Sequence, residues 1–295
     1  MRLGVDFGGT KIEAALLDSN GEIRLRQRVP NPGNYEAAVR AVADLTSRVA
    51  QEGGVEIKTI GVGMPGSLSP ATGLMRNANS VWLNGKPFFQ DLKQALGKPL
   101  RVENDANCFA LSEAVDGAAA GARVVFGVIL GTGCGGGVVV DKKTIEGVNG
   151  VGGEWGHTPL PWARKDEIPV RDWCGRWNCL EQWVSGTGLK RWSGMGGHDA
   201  DARAQAGDPV ARVALDNLAD RLARSLSVVI DILDPDVIVF GGGLSNIDAL
   251  YASVRGKLIA HVFSDVIRTK VVKNKHGDSS GVRGAAWLFT PEEAA

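Results

Sequence analysis

Residues 103–107 read Glu103-Asn104-Asp105-Ala106-Asn107, with carboxylates and amides in four of five positions between an apolar run and a helical pattern. Transfer of a phosphoryl group to a hydroxyl needs one base beside the acceptor oxygen; the rest is positioning and charge stabilisation. Asp105 suits that base, and Asn104 offers an amide that both donates and accepts toward neighbouring hydroxyls. The bland alternative is that Asp105 only caps the helix after it, a common use of Asp. Glu154 is a second acidic position, in GGEWGH beside His157, and Asn77, Asn79 and Asn84 crowd the segment NANSVWLNG. Such groups at strand ends suit a polyhydroxylated ligand, because each hydroxyl wants a donor and an acceptor. Trp82 or Trp155 can contact an apolar sugar face, although core packing suits any one of the eight tryptophans better.

Glycine makes up 40 of 295 residues, about twice the usual share of roughly 7%, and it is clustered. The clusters are FGGT (7–10), GVGMPG (61–66), LGTGCGGG (130–137), GVNGVGGEWG (147–156) and FGGG (240–243). Most follow an apolar, β-like run, and such turns let backbone N–H groups approach phosphate oxygens without a Cβ in the way. FGGT adds the hydroxyl of Thr10 and the cation of Lys11, with Asp6 at the end of the preceding strand, where it can hold Mg²⁺ through that ion's waters. Gly131, Thr132 and Gly133 can grip the same polyphosphate from the other side. A single glycine hairpin without a ligand is an ordinary thing; two in duplicated contexts favour the ligand. No G-x-x-x-x-G-K-[ST] occurs, which excludes a P-loop, and the β-branched run after GGG argues against a dinucleotide fingerprint.

A third group is RDWCGRWNCLEQW (171–183), in which Cys174 and Cys179 flank a loop and Glu181 follows. It reads as a metal knuckle, a redox pair or two neighbouring thiols. The redox pair is the weakest of these, since C-x₄-C is not C-x-x-C. Cys108 and Cys134 read as buried thiols. His198, His261 and His276 read as surface or capping residues, and His276 in KHGDSSG is the one expected to border the site.

The elements around these groups form two rounds. Residues 1–6, 11–18 and 22–29 read as three strands, the first two joined by FGGT and the next two by Asn20-Gly21. Residues 34–51 carry Ala38, Val39, Val42, Leu45 and Val49 at helical spacing. A strand at 57–62, a short helix at 90–96, a strand at 100–102 and a helix at 106–115 follow. Residues 123–130 then restart the pattern, with a glycine turn and a returning strand at 138–141. A long helix at about 209–233 has Leu215, Leu218, Leu222, Leu226, Val229 and Leu233 on one face, and leads to a strand at 237–240. The expected fold is α/β, a duplicated βββαβα plan with a central cleft. The boundary falls near 117–122, giving a small domain at 1–117 and a large one at 118–282. A last helix, read at about 282–289 and assigned with the segment of about 283–295, is expected to pack back on the first domain.

Hydrophobic content of 44%, charged content of 22% and zero formal net charge describe an ordinary globular protein, with no Lys/Arg block to suggest nucleic acid. The N-terminus lacks the basic leader and apolar core of a signal peptide, and no apolar run is long enough for a membrane helix. The expectation is a cytoplasmic protein without membrane or nucleic-acid partners.

DFGGTK (6–11), GMPGSLSP (63–70), ENDANCFALSE (103–113), LGTGCGGG (130–137), GEWGH (153–157), CLE (179–181) and DPDVIVFGGG (234–243) occur in that order. This set resembles the ROK (repressor, open reading frame, kinase) family of the actin-like, ribonuclease H-like ATPase superfamily, over nearly the whole chain. NANSVWLNG, ENDANCFALSEAVDGAAAG and KHGDSSGVRGAAWL most resemble the bacterial manno(fructo)kinase group. The chain begins at its first strand, without the DNA-binding extension of the family's repressors, so the resemblance points to a kinase. It implies ATP- and Mg²⁺-dependent phosphorylation of a hexose 6-hydroxyl, fructose or mannose first. Glucose, N-acetylglucosamine or another hexose is the alternative, and a non-catalytic sugar-responsive binding module a third reading. By position, Asp105 is the implied base, and Asn104, Glu154, His157 and Glu181 contact the sugar, joined by Gly66 and Asn79. Gly8, Gly9, Thr10 and Lys11 match the first phosphate motif, with Asp6 near the metal; Gly131, Thr132 and Gly133 match the second. Gly241, Gly242 and Gly243 match the turn near the adenosine. The family's zinc motif is a His followed by C-x-C-G-x-x-G-C-x-E, whereas this chain has Asp172 for the first cysteine and Asn178 for the second glycine. His157, Asp172, Cys174 and Cys179 would still form an N-O-S-S set acceptable to Zn²⁺. Bound zinc and a pair of reduced thiols held by the loop's tryptophans stand as alternatives. The resemblance also implies a homodimer.

Overall fold

The computed structural model describes residues 1–294. Its first half contains β1 (Arg2–Phe7), β2 (Lys11–Leu17), β3 (Ile23–Pro30), α1 (Tyr35–Glu52), β4 (Ile60–Met64), the small hairpin β5 (Ser67–Leu68) and β6 (Met75–Arg76), α2 (Phe88–Leu96) and β7 (Leu100–Asn104). Then come α3 (Asp105–Val115), β8 (Val124–Leu130), β9 (Cys134–Val140), β10 (Lys143–Thr144), α4 (Glu181–Val184), α5 (Gly186–Ser193) and α6 (Gly197–Gln205). The long α7 (Pro209–Leu233), β11 (Val237–Gly241), α8 (Ala249–Leu258), β12 (Lys270–Lys273) and α9 (Ser280–Ala286) complete the order.

Two five-stranded sheets have the orders β3-β2-β1-β4-β7 and β10-β9-β8-β11-β12. In each, an antiparallel three-strand meander is extended by two parallel strands. The second sheet therefore repeats the first strand for strand, as the duplicated plan requires. In such sheets ligands bind beyond the carboxyl ends of the parallel strands, here the ends of β1, β4, β7, β8 and β11.

The helices form where apolar spacing and caps agree. Asn34 caps α1 by accepting the Ala37 N–H at 3.1 Å, and Ala38, Val42, Leu45 and Val49 are buried beneath it. Asp208 caps α7 through Val210 N–H at 2.8 Å, Pro209 follows, and Asp234 ends the helix in the left-handed region with φ 46°. Leu215, Leu218, Leu222 and Leu226 fill the second sheet's core. Val229 and Leu233 were expected on that face, but they are only half-buried and line an apolar cavity, while Ile230 takes the core position.

One element differs in kind from its sequence reading. The run Cys134–Gly137 was expected as turn and is strand, so β9 begins four residues earlier than 138. A Cβ on Gly137 would stand 2.5 Å from the Ala106 carbonyl oxygen, so the missing side chains let α3 lie directly on β9. Glycine's low strand preference hides such a strand from composition.

Helix α3 packs on β8 and β9, whereas α9 packs on β1, β2 and β4 and against α3. Phe109, Ala110, Leu111 and Ala114 of α3 share a cluster with Val125, Val139, Val237 and Val239. Val282 and Ala286 of α9 close over Ala15 and Leu17. Glu113, fully buried in α3, ties the two helices together by accepting from Lys275 N, His276 N and Ser280 Oγ. Among the described residues, no helix is long and apolar enough to cross a membrane.

Candidate active site

Where β4, β7 and the β8–β9 turn end, a polar cavity of about 490 Å³ opens between the sheets. Gly66, Asn79, Asn104, Asp105, Glu154, Glu181 and the turn Gly131-Thr132-Gly133 all line it. Six residues from five separate stretches of the sequence thus meet the second glycine turn in one place.

Strand β7 passes into α3 without a loop, and the residue that caps α3 is Asn104, not Asp105. Its Oδ1 accepts the Ala106 N–H at 2.9 Å, while its Nδ2 donates to the Gly66 carbonyl at 3.0 Å. Asp105 is the first helical residue; its Oδ1 also accepts from Ala106 N, at 2.8 Å, and the residue opens onto the cavity. Desolvation by the surrounding cleft walls pushes its carboxyl up to about 6; the Ala106 N–H opposes this and the Glu154 carboxylate adds to it. Asp6, at the end of β1, is pushed up to about 7 by burial and then by the charge of Asp105. Asp6 does not line the 490 Å³ cavity, but its charge and that of Asp105 act on each other, and carboxyls raised toward neutrality suit proton transfer.

Glu181 opens α4 and is held from two sides. One oxygen accepts the Cys134 N–H of the glycine turn at 3.0 Å, and the other accepts the Trp173 indole N–H at 2.7 Å. A Cβ on Gly133 would lie 2.4 Å from the Glu181 carboxylate and would push it aside, so glycine leaves the carboxylate room to come this close. Gly186 N–H donates to the Gly131 carbonyl at 2.7 Å and fixes the same turn from the other end. Gln182, Ser185 and Thr187 also line the cavity. The reading of the sequence passed over them, although SGTG (185–188) echoes the Thr-Gly composition of GTG (131–133). Trp173 lines the cavity too, with no local sequence signal to mark it, whereas Trp82 and Trp155 are packing residues. Trp155 is buried edge-on to Phe126, and Trp82 packs on Phe7.

The first glycine turn joins β1 to β2, with Gly8 N–H donating to the Lys11 carbonyl at 3.0 Å. Asn31 buttresses it by donating to the carbonyls of Gly8 and Thr10, leaving Gly9 and Thr10 exposed and Lys11 half-buried. Gly241, Gly242 and Gly243 stand outside the cavity, with Gly242 packed on the backbone of Leu130 and Gly131. His157 does not line the 490 Å³ cavity; it lines a larger neighbour. His276 is also away from it, its Nε2 2.9 Å from Asp116 Oδ1.

The donor atoms of His157, Asp172, Cys174 and Cys179 all lie within 4.8 Å of one another. Both thiols are free, and their sulfurs are 3.7 Å apart. Two sulfurs on one tetrahedral zinc at about 2.3 Å each would stand about 3.8 Å apart. The buried Nδ1 of His157 has no hydrogen-bond partner and sits 3.3 Å from Asp172 Oδ2, against about 3.4 Å for a nitrogen and an oxygen sharing a tetrahedral zinc. The residues therefore fit the ion, with Asp172 in the geometry of a ligand. Asn178, in place of the family's glycine, takes φ 64° and accepts the Trp183 indole N–H at 2.7 Å. Asn is among the few residues tolerant of that conformation.

Residues 2–292 match the model of the ROK family. An N-acetyl-D-glucosamine kinase of Pasteurella multocida is 40% identical over 302 residues, covering 98% of this chain and 99% of that protein. A ROK hexokinase from Thermus thermophilus superposes with a TM-score of 0.86 at 30% identity, covering 99% of this chain and 98% of the other. A ROK family glucokinase from Streptomyces griseus, solved with glucose and AMPPNP, superposes with a TM-score of 0.77 at 28% identity, over 97% and 98% of the two chains. The expected two-domain, actin-like α/β fold is the fold of these structures. With motifs, topology and full-length matches in agreement, the chain belongs to the ROK family.

Proposed function

We infer that the protein is an ATP-dependent hexose kinase that phosphorylates the sugar's 6-hydroxyl, with Asp105 as base. The observation that carries this reading is Asp105 itself. It stands one residue past the cap residue Asn104, with which it shares the Ala106 N–H, opens onto a cavity that the glycine turn at 131–133 lines, and has a carboxyl raised to about 6. As the hydroxyl oxygen bonds to the γ-phosphorus and the bond to the leaving ADP oxygen breaks, Asp105 takes the hydroxyl proton. Asn104, Glu154 and Glu181, with Gly66 and Asn79, hold the sugar; backbone N–H groups of Gly9, Thr10, Thr132 and Gly133 and the Lys11 amine hold phosphate oxygens, while the N–H groups of Gly8 and Gly131 close their own turns. Gly241–Gly243 border the adenosine. Mg²⁺ supplies neutralisation of phosphate charge, and Asp6 is the residue to hold it.

N-acetyl-D-glucosamine is the first substrate to test, because relatives 36–40% identical over almost the full chain carry that name. Fructose, with mannose, is the second, supported by NANSVWLNG and by the C-terminal KHGDSSGVRGAAWL. A coupled ADP-release assay over these sugars and glucose decides between them. We expect Asp105→Asn to lower kcat by about 10²–10⁴-fold; full turnover in that variant removes Asp105 from the role, and no turnover with any sugar removes the kinase reading.

His157, Asp172, Cys174 and Cys179 are proposed to hold one structural Zn²⁺ that clamps the loop bearing Trp173 ahead of Glu181. Metal analysis of protein purified without chelator is expected to give one zinc per chain and, for Asp172→Ala, well under half of that. A homodimer is proposed on the family likeness, with light scattering as its measurement.

A further inference from the structure

Beside the polar cavity lies a larger one of about 1040 Å³, and Asn77, Glu154 and Trp173 line both. The larger cavity is apolar in character, with Val151 and Leu160 from the loop after β10 facing Val229 and Leu233 of α7. Of the three shared residues, Trp173 alone carries a broad ring. The residue is 62% exposed, so burial does not account for a tryptophan here.

The ring is nevertheless fixed. Its N–H is held by the Glu181 carboxylate at 2.7 Å, and its face and edge meet the His157 ring at 5.3 Å and 80°. The backbone on either side is also tied down, with Asp172 N–H on the Arg176 carbonyl at 2.8 Å and Cys174 N–H on Asp172 Oδ2 at 3.2 Å. A hydrogen bond to a charged acceptor and an anchored loop give an exposed indole one orientation.

We propose that Trp173 is a specificity-determining residue: its indole walls the sugar cavity off from the larger apolar one and so limits the apolar substituent that a bound hexose can carry. The inference rests on the sugar-kinase reading and adds to it a ligand class, N-acylhexosamines with acyl chains longer than acetyl, which removal of the wall admits. Its second part follows from the same bond. The indole N–H occupies one oxygen of Glu181, so Trp173 also positions the carboxylate assigned to the sugar.

The test compares wild-type protein, Trp173→Ala and Trp173→Phe against N-acetyl-, N-propanoyl- and N-butanoyl-D-glucosamine, by calorimetric binding and by ADP release. In the wild type, affinity falls about tenfold or more from the acetyl to the butanoyl sugar, the scale on which a closed pocket resists added methylenes. Trp173→Ala, which joins the cavities, binds the butanoyl sugar more tightly than the wild type does. Trp173→Phe keeps a ring but loses the donor to Glu181; it retains the wild-type ranking while KM for the preferred hexose rises about tenfold. If Trp173→Ala binds N-butanoylglucosamine no better than the wild type, or if it weakens every sugar by one common factor, the proposal is overturned. Failure of the kinase reading shows separately, as a wild-type protein that turns over no hexose.

Discussion

Asp105 must be ionised to take a proton, yet its surroundings favour the protonated acid. Its carboxyl is raised to about 6 chiefly by desolvation, with the negative charge of Glu154 adding. A base of that strength is ionised at neutral pH and still basic enough to be useful. The sign of the pH dependence follows: activity is present above pH 6 and is lost as pH falls through 6, about tenfold in kcat/KM for each unit below. The profile of kcat/KM against pH checks this, and an acid limb near 4, the ordinary range of an aspartate, would mean that the cleft does not raise the Asp105 carboxyl. At this scale the sequence was informative about residue type and less so about role. ENDAN announced a base beside an amide, but only the backbone geometry decides that Asn104 stands at the cap position and that Asp105, sharing the Ala106 N–H with it, opens onto the cavity. Trp173 was invisible for a different reason. Tryptophan is a core residue in most places, and no local pattern distinguishes one that projects from a cysteine loop.

Helices α3 and α9 form the joint of the molecule, and Glu113 is its fastener. Four donors converge on this buried carboxylate, namely Ala118 N at 2.8 Å, Lys275 N at 3.0 Å, His276 N at 3.2 Å and Ser280 Oγ at 3.0 Å. Glu113→Ala would strand the three backbone N–H groups, while Ser280 Oγ keeps the Gly277 carbonyl, and is expected to cost about 3 kcal/mol or more; Glu113→Gln, which keeps one acceptor oxygen, should cost less. Urea denaturation measures both, and equal losses would mean that side-chain volume, not the acceptor, matters. Elements with strong periodicity or caps were legible in the sequence, α7 above all, because Asp208-Pro209 and a leucine face mark it. Strand β9 was not, because its identity lies in what packs on it. The crossed packing of α3 and α9 depends on contacts between residues more than 160 positions apart, and no local signal carries that. We propose the division at 1–117 and 118–282, with 283–295 joining the first part, and limited proteolysis within 117–122 as its check.

At the scale of the whole molecule, the cavity is walled by both halves of the chain, so its shape depends on how they stand to each other. Arg76 on β6 bridges them by donating to the carbonyls of Asn149 and Gly150, which lie in the loop leading to Glu154. Removing this bridge in Arg76→Ala is expected to raise KM for the sugar about fivefold, with kcat changed less, because the base and its phosphate turns are untouched. Steady-state kinetics read the split; a fall in kcat without a change in KM would place the bridge in the chemical step. The joint at α3 and α9 also bears on how the protein is made. The first sheet keeps Ala15 and Leu17 uncovered until Val282 and Ala286 arrive, and at a ribosome's pace of about 5–20 residues per second that wait is roughly 15–60 s. The N-terminal half therefore leaves the ribosome with an open apolar face, and the order of synthesis runs against the order of assembly. A nascent chain stalled before residue 280 should be a chaperone client, whereas the finished one closes itself.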